Sequence, residues 1–293
     1  MVIVNPAAGA GRAAARWRAL AETARRHLTF QEEWTGARGH ATELAAAAVA
    51  DGIRRILVIG GDGTLLEVAN ALAGTQVALG VLPMGTGNDF VRSAGITGKP
   101  EELLPRMAAG TTRAVDLGRV NGRYFMNVAG VGFDAEVARI VSEKPRHGNG
   151  TVPYLGTAIR QAFRYVPPEV AVTIDDGEAA PPSRRLMVAV GNGATYAGGM
   201  KVCPGAVLDD GVLDVLLVGD LRGFGLLKIL GRVFNGSHLS DRRVQLVPAR
   251  TLRIDGSSDV TLHTDGEVIG HLPAEFSVAP GALQLWVPGQ TPA

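Results

Sequence analysis

Residues 58–72, VIGGDGTLLEVANAL, pass from an apolar segment through Gly-Gly-Asp-Gly-Thr directly into a helical pattern. Three glycines in four positions let another group approach the backbone closely, and the start of a helix adds N–H groups at the same point. Asp62 is unexpected beside a phosphate, because a carboxylate repels it. A divalent cation between the two removes that repulsion, so the segment predicts a site for a metal–nucleotide phosphate.

Two further glycine turns follow apolar segments. The turn NPAAGAGRAA (5–14) fits the pattern G-x-G-x-x-A, and PMGTGND (83–89) is the other. Thr64 and Thr86 are placed to hydrogen-bond a phosphate or to cap a helix. The first turn alone is a weak signal for a dinucleotide-binding dehydrogenase. That interpretation gives the other two turns no role. Three such turns at the carboxyl ends of parallel strands predict one phosphate site at that edge of a sheet.

Strand and helix patterns alternate over roughly the first 115 residues. Strands are predicted at 2–5, 28–33, 55–60 and 78–83, and helices at 12–26, 40–52 and 64–74. This alternation predicts an α/β domain with a parallel sheet in three layers. From about Thr111 short, turn-bounded strands prevail, beginning with a hairpin around Asn121-Gly122. Helical patterns there occur only near 153–165 and 223–234. We predict a nucleotide-binding domain at 1–117 and a β-rich second domain at 118–281.

Composition excludes several classes of function. Hydrophobic residues make up 46% of the chain and charged residues 19%, as in a well-packed protein, and 29 Lys and Arg nearly cancel 28 Asp and Glu. A balanced charge gives no support for a nucleic acid partner. The single cysteine excludes an intrachain disulfide, and no signal segment, apolar span or zinc-ligand spacing is present. We therefore expect a cytoplasmic protein without a transmembrane segment; a homodimer is compatible with the sequence.

Six motifs give the chain a family resemblance. They are NPAAGAG, GGDGTLLEVANAL, LPMGTGNDF, NVAGVGFDAEV, GNGATYAGGMKVCPGAVLDDGVLDV and HTDGE. In this order they resemble the diacylglycerol kinase catalytic-domain family, which includes sphingosine kinases and bacterial diacylglycerol or phosphatidylglycerol kinases. The resemblance implies an α/β nucleotide-binding domain and a β-sandwich domain of the NAD kinase/diacylglycerol kinase-like fold, with the active site between them. In the family the final strand, near 282–288 here, often returns to the first domain.

The resemblance also implies roles for individual residues. Glu267 would be the proton acceptor, with Asp265 beside it and Asp62 near the catalytic metal. The implied nucleotide-binding residues are Asn5, Pro6, Ala7, Ala8, Gly9, Thr35, Gly60, Gly61, Asp62, Gly63, Thr64, Leu65, Leu66, Gly85, Thr86, Asn88 and Asp89. A structural Mg²⁺ would take the carbonyls of Val207 and Val212 and the carboxylate of Asp210. The implied cofactors are ATP and Mg²⁺, and the partner is a lipid substrate at the inner membrane face, met peripherally and transiently.

The chemistry of the DGE segment can also be considered without the family. If a strand continued through Asp265 and Glu267, both side chains would lie on one face, and their repulsion would raise the pKa of at least one. That arrangement favours a general base near neutral pH. The alternative is a polar hairpin tip. The three phosphate turns favour the catalytic interpretation.

A basic and apolar segment, 142–167, is the candidate for contact with the lipid. It carries Lys144, Arg146, His147, Arg160 and Arg164 beside Val152, Tyr154, Leu155, Ile159 and Phe163. The family's variable, acceptor-lining region lies at this position. A solvated helix with one face in the core fits the pattern equally well.

The favoured hypothesis is an ATP- and Mg²⁺-dependent lipid kinase. An NAD kinase-like enzyme shares the GGDGT turn and a β-rich second domain, but NPAAGAG and GTGNDF favour the lipid kinases. A catalytically impaired nucleotide-binding regulator is the third hypothesis. Its only support is Leu66, where most family members have Asn and where a lost amide would weaken a polar contact.

Overall fold

A computed structural model describes residues 1–143 and 151–289. The chain forms two compact units. Unit 1 comprises Met1–Leu117 with Pro280–Ala293, and unit 2 comprises Gly118–Ala279. Strands β5 (Thr111–Val120) and β15 (Ala274–Val287) each contribute residues to both units.

Unit 1 alternates strands and helices along the chain. Its elements are β1 (Val2–Val4), α1 (Ala13–His27), β2 (Glu32–Trp34), α2 (His40–Ala50), β3 (Arg55–Gly60), α3 (Asp62–Leu72), β4 (Ala78–Pro83), α4 (Asp89–Ser93) and α5 (Pro100–Ala108). The strands pair in parallel in the order β2-β1-β3-β4. Gln284 and Leu285 of β15 add a further parallel strand beside Ala78 and Leu79 of β4.

Helices cover both faces of this sheet. α1 packs with α5, and α2 packs with α3. In the strand order, the connection from β1 to β2 runs toward one edge of the sheet, and the connection from β2 to β3 runs toward the other edge. Because both connections are right-handed crossovers, they place α1 and α2 on opposite faces of the sheet. Strands β1, β3 and β4 are accordingly buried almost throughout, as parallel strands covered on both faces are. The predicted α/β domain of three layers is confirmed.

Unit 2 is mainly antiparallel. Its elements are the ends of β5 and β15 with β6 (Arg123–Phe125), β7 (Val128–Gly132), α6 (Phe133–Ser142), α7 (Thr151–Gln161), β8 (Glu169–Ile174), β9 (Ser183–Gly191), β10 (Leu213–Gly219), α8 (Gly223–Arg232), β11 (Val244–Ala249), β12 (Thr251–Gly256), β13 (Thr261–Thr264) and β14 (Glu267–His271). One sheet has the order β11-β10-β9-β7-β13-β14, and another joins β8, β12 and the start of β15.

The two sheets of unit 2 enclose a core between them. Val188 and Val190 of β9 pack there with Leu252 and Phe276 of the other sheet. Ala189 points the opposite way, into a second cluster formed with the helices, because neighbouring side chains of a strand alternate between faces. The predicted β-sandwich-like second domain is therefore confirmed, with helices on its outer face.

The main differences from the sequence predictions are three helices and one strand. Helices α4, α5 and α6 were not predicted. The strand predicted at 28–33 forms pairs only at Glu32–Trp34, because its partner β1 is itself three residues long. Within the described residues, no helix is long and apolar enough to cross a membrane.

Candidate active site

The implied site residues fall into two sets, one in each unit. In unit 1 the three glycine turns lie at the carboxyl ends of β1, β3 and β4, which are parallel neighbours. The Asn5 Nδ2 donates to the Thr64 Oγ1 at 2.8 Å, which joins the first turn to the second. The Asn5 Oδ1 accepts from the Ala7 N–H at 2.9 Å and shapes the first turn. The structure thus brings the predicted turns to one sheet edge, beside the β1/β3 switch point where α/β sheets bind ligands.

Glycines allow these turns to touch. A Cβ atom on Gly85 would lie 2.6 Å from the Cα of Gly61, and one on Gly9 would lie 2.5 Å from the Met84 carbonyl oxygen. Gly63 differs, since a Cβ there would meet no atom of the described residues within 4 Å. Packing inside the unit therefore explains Gly9, Gly61 and Gly85 but not Gly63. The open space beside Gly63 is where a ligand can approach the backbone.

Helix α3 begins at this edge without a side-chain cap, because its N-cap residue is Gly61. The Leu65 N–H already donates to the Gly61 carbonyl at 3.1 Å. The N–H groups of Gly63 and Thr64 precede it in the first turn of the helix, where no i−4 carbonyl lies within the helix to accept from them. A helix N-terminus of this kind attracts anions, phosphates above all.

Asp62 connects the second turn to the third. Its Oδ1 accepts from the Phe90 N–H at 3.1 Å, and a Cβ on Gly87 would lie 2.7 Å from its Oδ2. In the third turn, Asp89 is buried and its Oδ1 accepts from the Arg92 guanidinium at 3.0 Å. Asp62 thus has a structural contact that the sequence did not reveal. The role beside a catalytic metal stays a prediction.

The other implied nucleotide residues surround this edge. The Thr35 N–H donates to the Val4 carbonyl at 2.9 Å, and the Asn88 side chain bonds both backbone groups of Gly85 at 3.1 and 3.0 Å. Pro6 and Ala8 are half-buried, Gly60 is buried, and Ala7 and Thr86 are exposed. The side chains of Leu65 and Leu66 are buried.

In unit 2 the DGE segment is a tight turn. Asp265 and Gly266 both have positive φ angles, 47° and 86°, and Thr264 pairs with Glu267 across them. This is the backbone of a two-residue hairpin turn of type I′, for which Asp-Gly is a preferred pair. The strand therefore does not continue through Asp265 and Glu267. The conditional expectation that they share one strand face is wrong, because the chain reverses between them.

Asp265 turns inward and holds the hairpin. Its Oδ2 accepts from the Met126 N–H at 2.7 Å, and its Oδ1 accepts from the N–H groups of Asn127 and Val128 at 2.9 and 3.0 Å. Burial raises the pKa of Asp265, against the lowering effect of these three donors. The side chain of Glu267 is half-buried on the other side of the turn. The two carboxylates therefore have different environments and different tasks available to them.

A buried polar pair, which was not predicted from the sequence, lies behind this turn. The Gly266 N–H donates to the Nδ1 of His263 at 3.3 Å, which leaves the proton of a neutral imidazole on Nε2. That nitrogen contacts the Oδ2 of Asp134 at 2.9 Å, and both side chains are buried. The Tyr196 ring packs beside His263, and its hydroxyl bonds to that of Tyr154 at 2.9 Å. Asp134 and His263 stand 129 residues apart, so only the fold brings them together.

The implied Mg²⁺ loop precedes β10. The Asp210 Oδ1 accepts from the Val212 N–H at 3.2 Å, and the side chain of Val207 is exposed. Burial and the neighbouring Asp210 raise the pKa of Asp214. Carboxylate and carbonyl oxygens are the donors that Mg²⁺ prefers, so the chemistry of the loop fits this ion. The described residues contain no group of three or more His, Cys, Asp or Glu able to hold a metal, so such a site would depend on the carbonyls of Val207 and Val212.

The candidate lipid segment is described in part. Lys144, Arg146, His147 and the side chain of Val152 lie outside the described residues. Arg160, Arg164, Ile159 and Phe163 are exposed on or just after α7. Tyr154 and Leu155 are half-buried instead.

Two protein-family models together match most of the chain. Residues 1–120 match the model of the diacylglycerol kinase catalytic domain. Residues 127–287 match that of the YegS C-terminal NAD kinase beta sandwich-like domain. A diacylglycerol kinase of Mycobacterium tuberculosis is 32% identical over 98% of this chain and 94% of that relative.

Solved structures agree on the fold. A Bacillus anthracis protein assigned as a diacylglycerol kinase has a TM-score of 0.79 at 27% identity, over 98% of this chain and 96% of the other. An NAD kinase from Archaeoglobus fulgidus, in complex with ATP, has a TM-score of 0.52 at 14% identity, over 98% of this chain and 91% of the other. At that identity the second likeness shows the fold alone.

Proposed function

Because the chain belongs to the diacylglycerol kinase family of lipid kinases, we propose that it transfers the γ-phosphate of ATP to the hydroxyl group of diacylglycerol or a related lipid. The observation that carries the nucleotide half of this proposal is the N-terminus of α3, which has no side-chain cap. Its first turn contacts the glycine turn after β1 through Thr64 and Asn5, and Gly61 at its start approaches Gly85 of the turn after β4. Backbone donors and a helix dipole stabilise a phosphate chain in this way.

Mg²⁺ is the proposed second cofactor. Asp62 would lie closest to it beside the phosphates, and the Val207, Asp210 and Val212 loop would hold a structural ion. When bound, the ion neutralises charge on the transferred phosphoryl group. Without such a cation, Asp62 would repel the phosphates that the helix attracts. Leu66 is compatible with this proposal, because its side chain is buried and the backbone of α3 remains helical at this position.

Glu267 is the proposed general base. As the lipid oxygen forms its bond to the γ-phosphorus, the bond from that phosphorus to the β-phosphate oxygen breaks and ADP leaves. The hydroxyl proton passes to the Glu267 carboxylate. Asp265 would be a positioning residue, since its contacts with Met126, Asn127 and Val128 fix the turn that presents Glu267. The peripheral, cytoplasmic location expected from the sequence belongs to this proposal.

The test is transfer of labelled γ-phosphate from MgATP to mixed micelles. The acceptors are diacylglycerol, phosphatidylglycerol, sphingosine, monoacylglycerol and undecaprenol, with NAD as the soluble comparison. Label is expected on one lipid, and Glu267→Gln should lower kcat by about 10²- to 10⁴-fold. Glu178→Gln, an exposed glutamate in the turn after β8, is the matched control and should retain the rate.

Two results would contradict the proposal. Label on NAD instead of a lipid would identify an NAD kinase activity. Binding of MgATP without transfer to any acceptor would favour a nucleotide-binding regulator.

A further inference from the structure

The outer face of unit 2 carries an exposed aromatic patch where α7 ends and α8 begins. We define the Phe163–Phe224 patch as Ile159, Phe163, Val166 and Phe224. Their exposed fractions are 45%, 57%, 61% and 82%. Large apolar side chains are seldom this exposed next to one another unless the surface binds something.

The patch has a rigid base. The Gly223 N–H donates to the Ala162 carbonyl at 2.7 Å, which joins the end of α7 to the start of α8. The rings of Phe163 and Phe224 meet edge to face with centroids 5.4 Å apart. The opposite sides of the two helices are packed in the unit, through residues such as Ala158, Ala162 and Leu226. Phe163 and Phe224 are therefore held outward by the fold.

The two segments that carry the patch are basic. The segments 151–168 and 221–240 contain no Asp or Glu, and they carry Arg160, Arg164, Arg222, Lys228 and Arg232. The acidic residues that flank these segments form ion pairs, one of which includes Arg222 of the second segment. Glu169 pairs with Arg184, Asp220 with Arg222, and Asp241 with Arg243, although Asp241 also lies near Lys228. The patch is thus apolar at its centre and cationic at its rim.

We propose that the Phe163–Phe224 patch is the surface by which this protein docks on an anionic lipid bilayer. Aromatic rings enter the boundary between headgroups and acyl chains, while arginines beside them remain at the level of the lipid phosphates. The absence of acidic residues from both segments favours an anionic surface over a protein partner of mixed charge. This inference rests on the proposed function, because a kinase that phosphorylates a membrane lipid has to bind the bilayer that contains it.

Binding to vesicles tests this surface without any nucleotide. The full chain is sedimented with phosphatidylcholine vesicles that contain or lack phosphatidylglycerol, at low and high salt. We expect binding only to the anionic vesicles, weakened by salt. The Phe163→Ser/Phe224→Ser variant should bind the vesicles about tenfold or more weakly, because it lacks the two phenyl rings that would transfer from water into the bilayer. Phe224→Leu keeps an apolar side chain and should retain most of the binding.

The cationic rim has a matched control. Arg160→Gln/Arg164→Gln should weaken binding by about 25-fold, since each cation near an anionic surface gives about fivefold. Arg123→Gln/Arg250→Gln removes the same charge at exposed positions away from the patch and should change binding little. Thermal unfolding of each variant confirms that it is folded; exposed substitutions of this kind rarely cost much stability.

Three outcomes would overturn the proposal. The first is no binding of the unmodified protein to anionic vesicles, and the second is equal binding by the patch variants. The third is a dimer in solution that the patch variants convert to monomer, which would assign the surface to a second copy of the chain. Phosphorylation of a short-chain diacylglycerol dissolved as monomers separates this test from that of the proposed function. The patch variants should keep that activity, and its absence from the unmodified protein would contradict the kinase and leave the vesicle result standing.

Discussion

At the scale of single residues, the two half-buried carboxylates of the DGE turn have different surroundings. Asp265 accepts hydrogen bonds from three consecutive backbone N–H groups, whereas Glu267 follows on the next strand, beyond the turn. Asp265→Ala leaves those three donors buried without their acceptor, so we expect the free energy of unfolding to fall by about 3 kcal/mol. Urea unfolding measures this difference.

Glu267→Gln is the comparison for that prediction. It keeps the shape and hydrogen-bonding capacity of a half-buried side chain, so its free energy of unfolding should fall by less than that of Asp265→Ala. Equal stability of the Asp265→Ala variant and the unmodified protein would show that Asp265 does not anchor the turn.

Gly63 allows the requirements of folding to be tested apart from those of ligand binding. It lies in the first turn of α3 without a positive φ, and a Cβ there would meet no described atom within 4 Å. Gly63→Ala should therefore stabilise the ligand-free protein by about 0.5–1 kcal/mol, through the lower entropy of its unfolded chain. The same methyl group should weaken ATP binding, because it occupies the space by which phosphates would reach the backbone.

Thermal unfolding and an ATP titration check both halves of the prediction. Gly85→Ala is the contrasting variant, because its Cβ would lie 2.6 Å from the Cα of Gly61 and should destabilise the fold itself. Unchanged ATP affinity in Gly63→Ala would remove this residue from the proposed phosphate site.

The sequence predicted residues whose signal is local and missed those whose role depends on distant partners. Glycine turns after apolar segments are local signals, and parallel pairing explains why they share an edge. The Asp-Gly pair is also a local signal for a hairpin, but the sequence alone did not distinguish a hairpin from a continuing strand. Nothing local shows that Asp265 accepts from Met126, or that His263 meets Asp134, because those partners stand more than a hundred residues away.

At the scale of elements, sequence patterns identified most strands and helices but not α5. This helix contains Pro100 at its start and Pro105 inside it, and prolines read as helix breakers. Its position in the unit is decided by packing, since Leu103, Leu104 and Met107 are fully buried. Tertiary burial thus outweighs a local preference that the sequence displays clearly.

Asp175 connects two strands of unit 2. Its Oδ1 accepts from the N–H groups of Arg250 and Thr251, both at 2.8 Å, and so ties the end of β8 to the start of β12. The hydrogen bond from the Thr251 backbone, first among several, lowers the pKa of Asp175 below its ordinary value of 3.8. A lowered folded-state pKa means that the stabilisation is complete above that ordinary value and is lost as the pH falls through the folded pKa.

Asp175→Asn tests this link. Asn accommodates the left-handed backbone at this position, φ 49°, and removes only the charge. We expect the variant to be less stable than the unmodified protein at pH 7, with a difference that shrinks below about pH 4. A difference that stays constant in urea unfolding from pH 7 to 3 would contradict a role for the charge.

At the scale of the whole molecule, the chain crosses between its two units within strands. The boundary at 117/118 falls inside β5, and that at 279/280 falls inside β15. β15 pairs with β12 through Phe276 in unit 2 and with β4 through Leu285 in unit 1. Loss of either unit would therefore fray a strand that the other unit needs, whereas a flexible linker would leave them independent.

We expect the two units to unfold in one cooperative transition, and the chain carries a natural reporter for each. All three tryptophans, Trp17, Trp34 and Trp286, belong to unit 1, and the single cysteine, the buried Cys203, belongs to unit 2. Tryptophan fluorescence and thiol labelling of Cys203 should give the same urea midpoint, as two-state unfolding requires. MgATP at about 100 times its Kd should raise both midpoints together, by the equivalent of about 2.7 kcal/mol. Separate midpoints, or a shift of the fluorescence transition alone, would show that unit 2 folds without unit 1 and that nucleotide binding stabilises only the unit that contains the glycine turns.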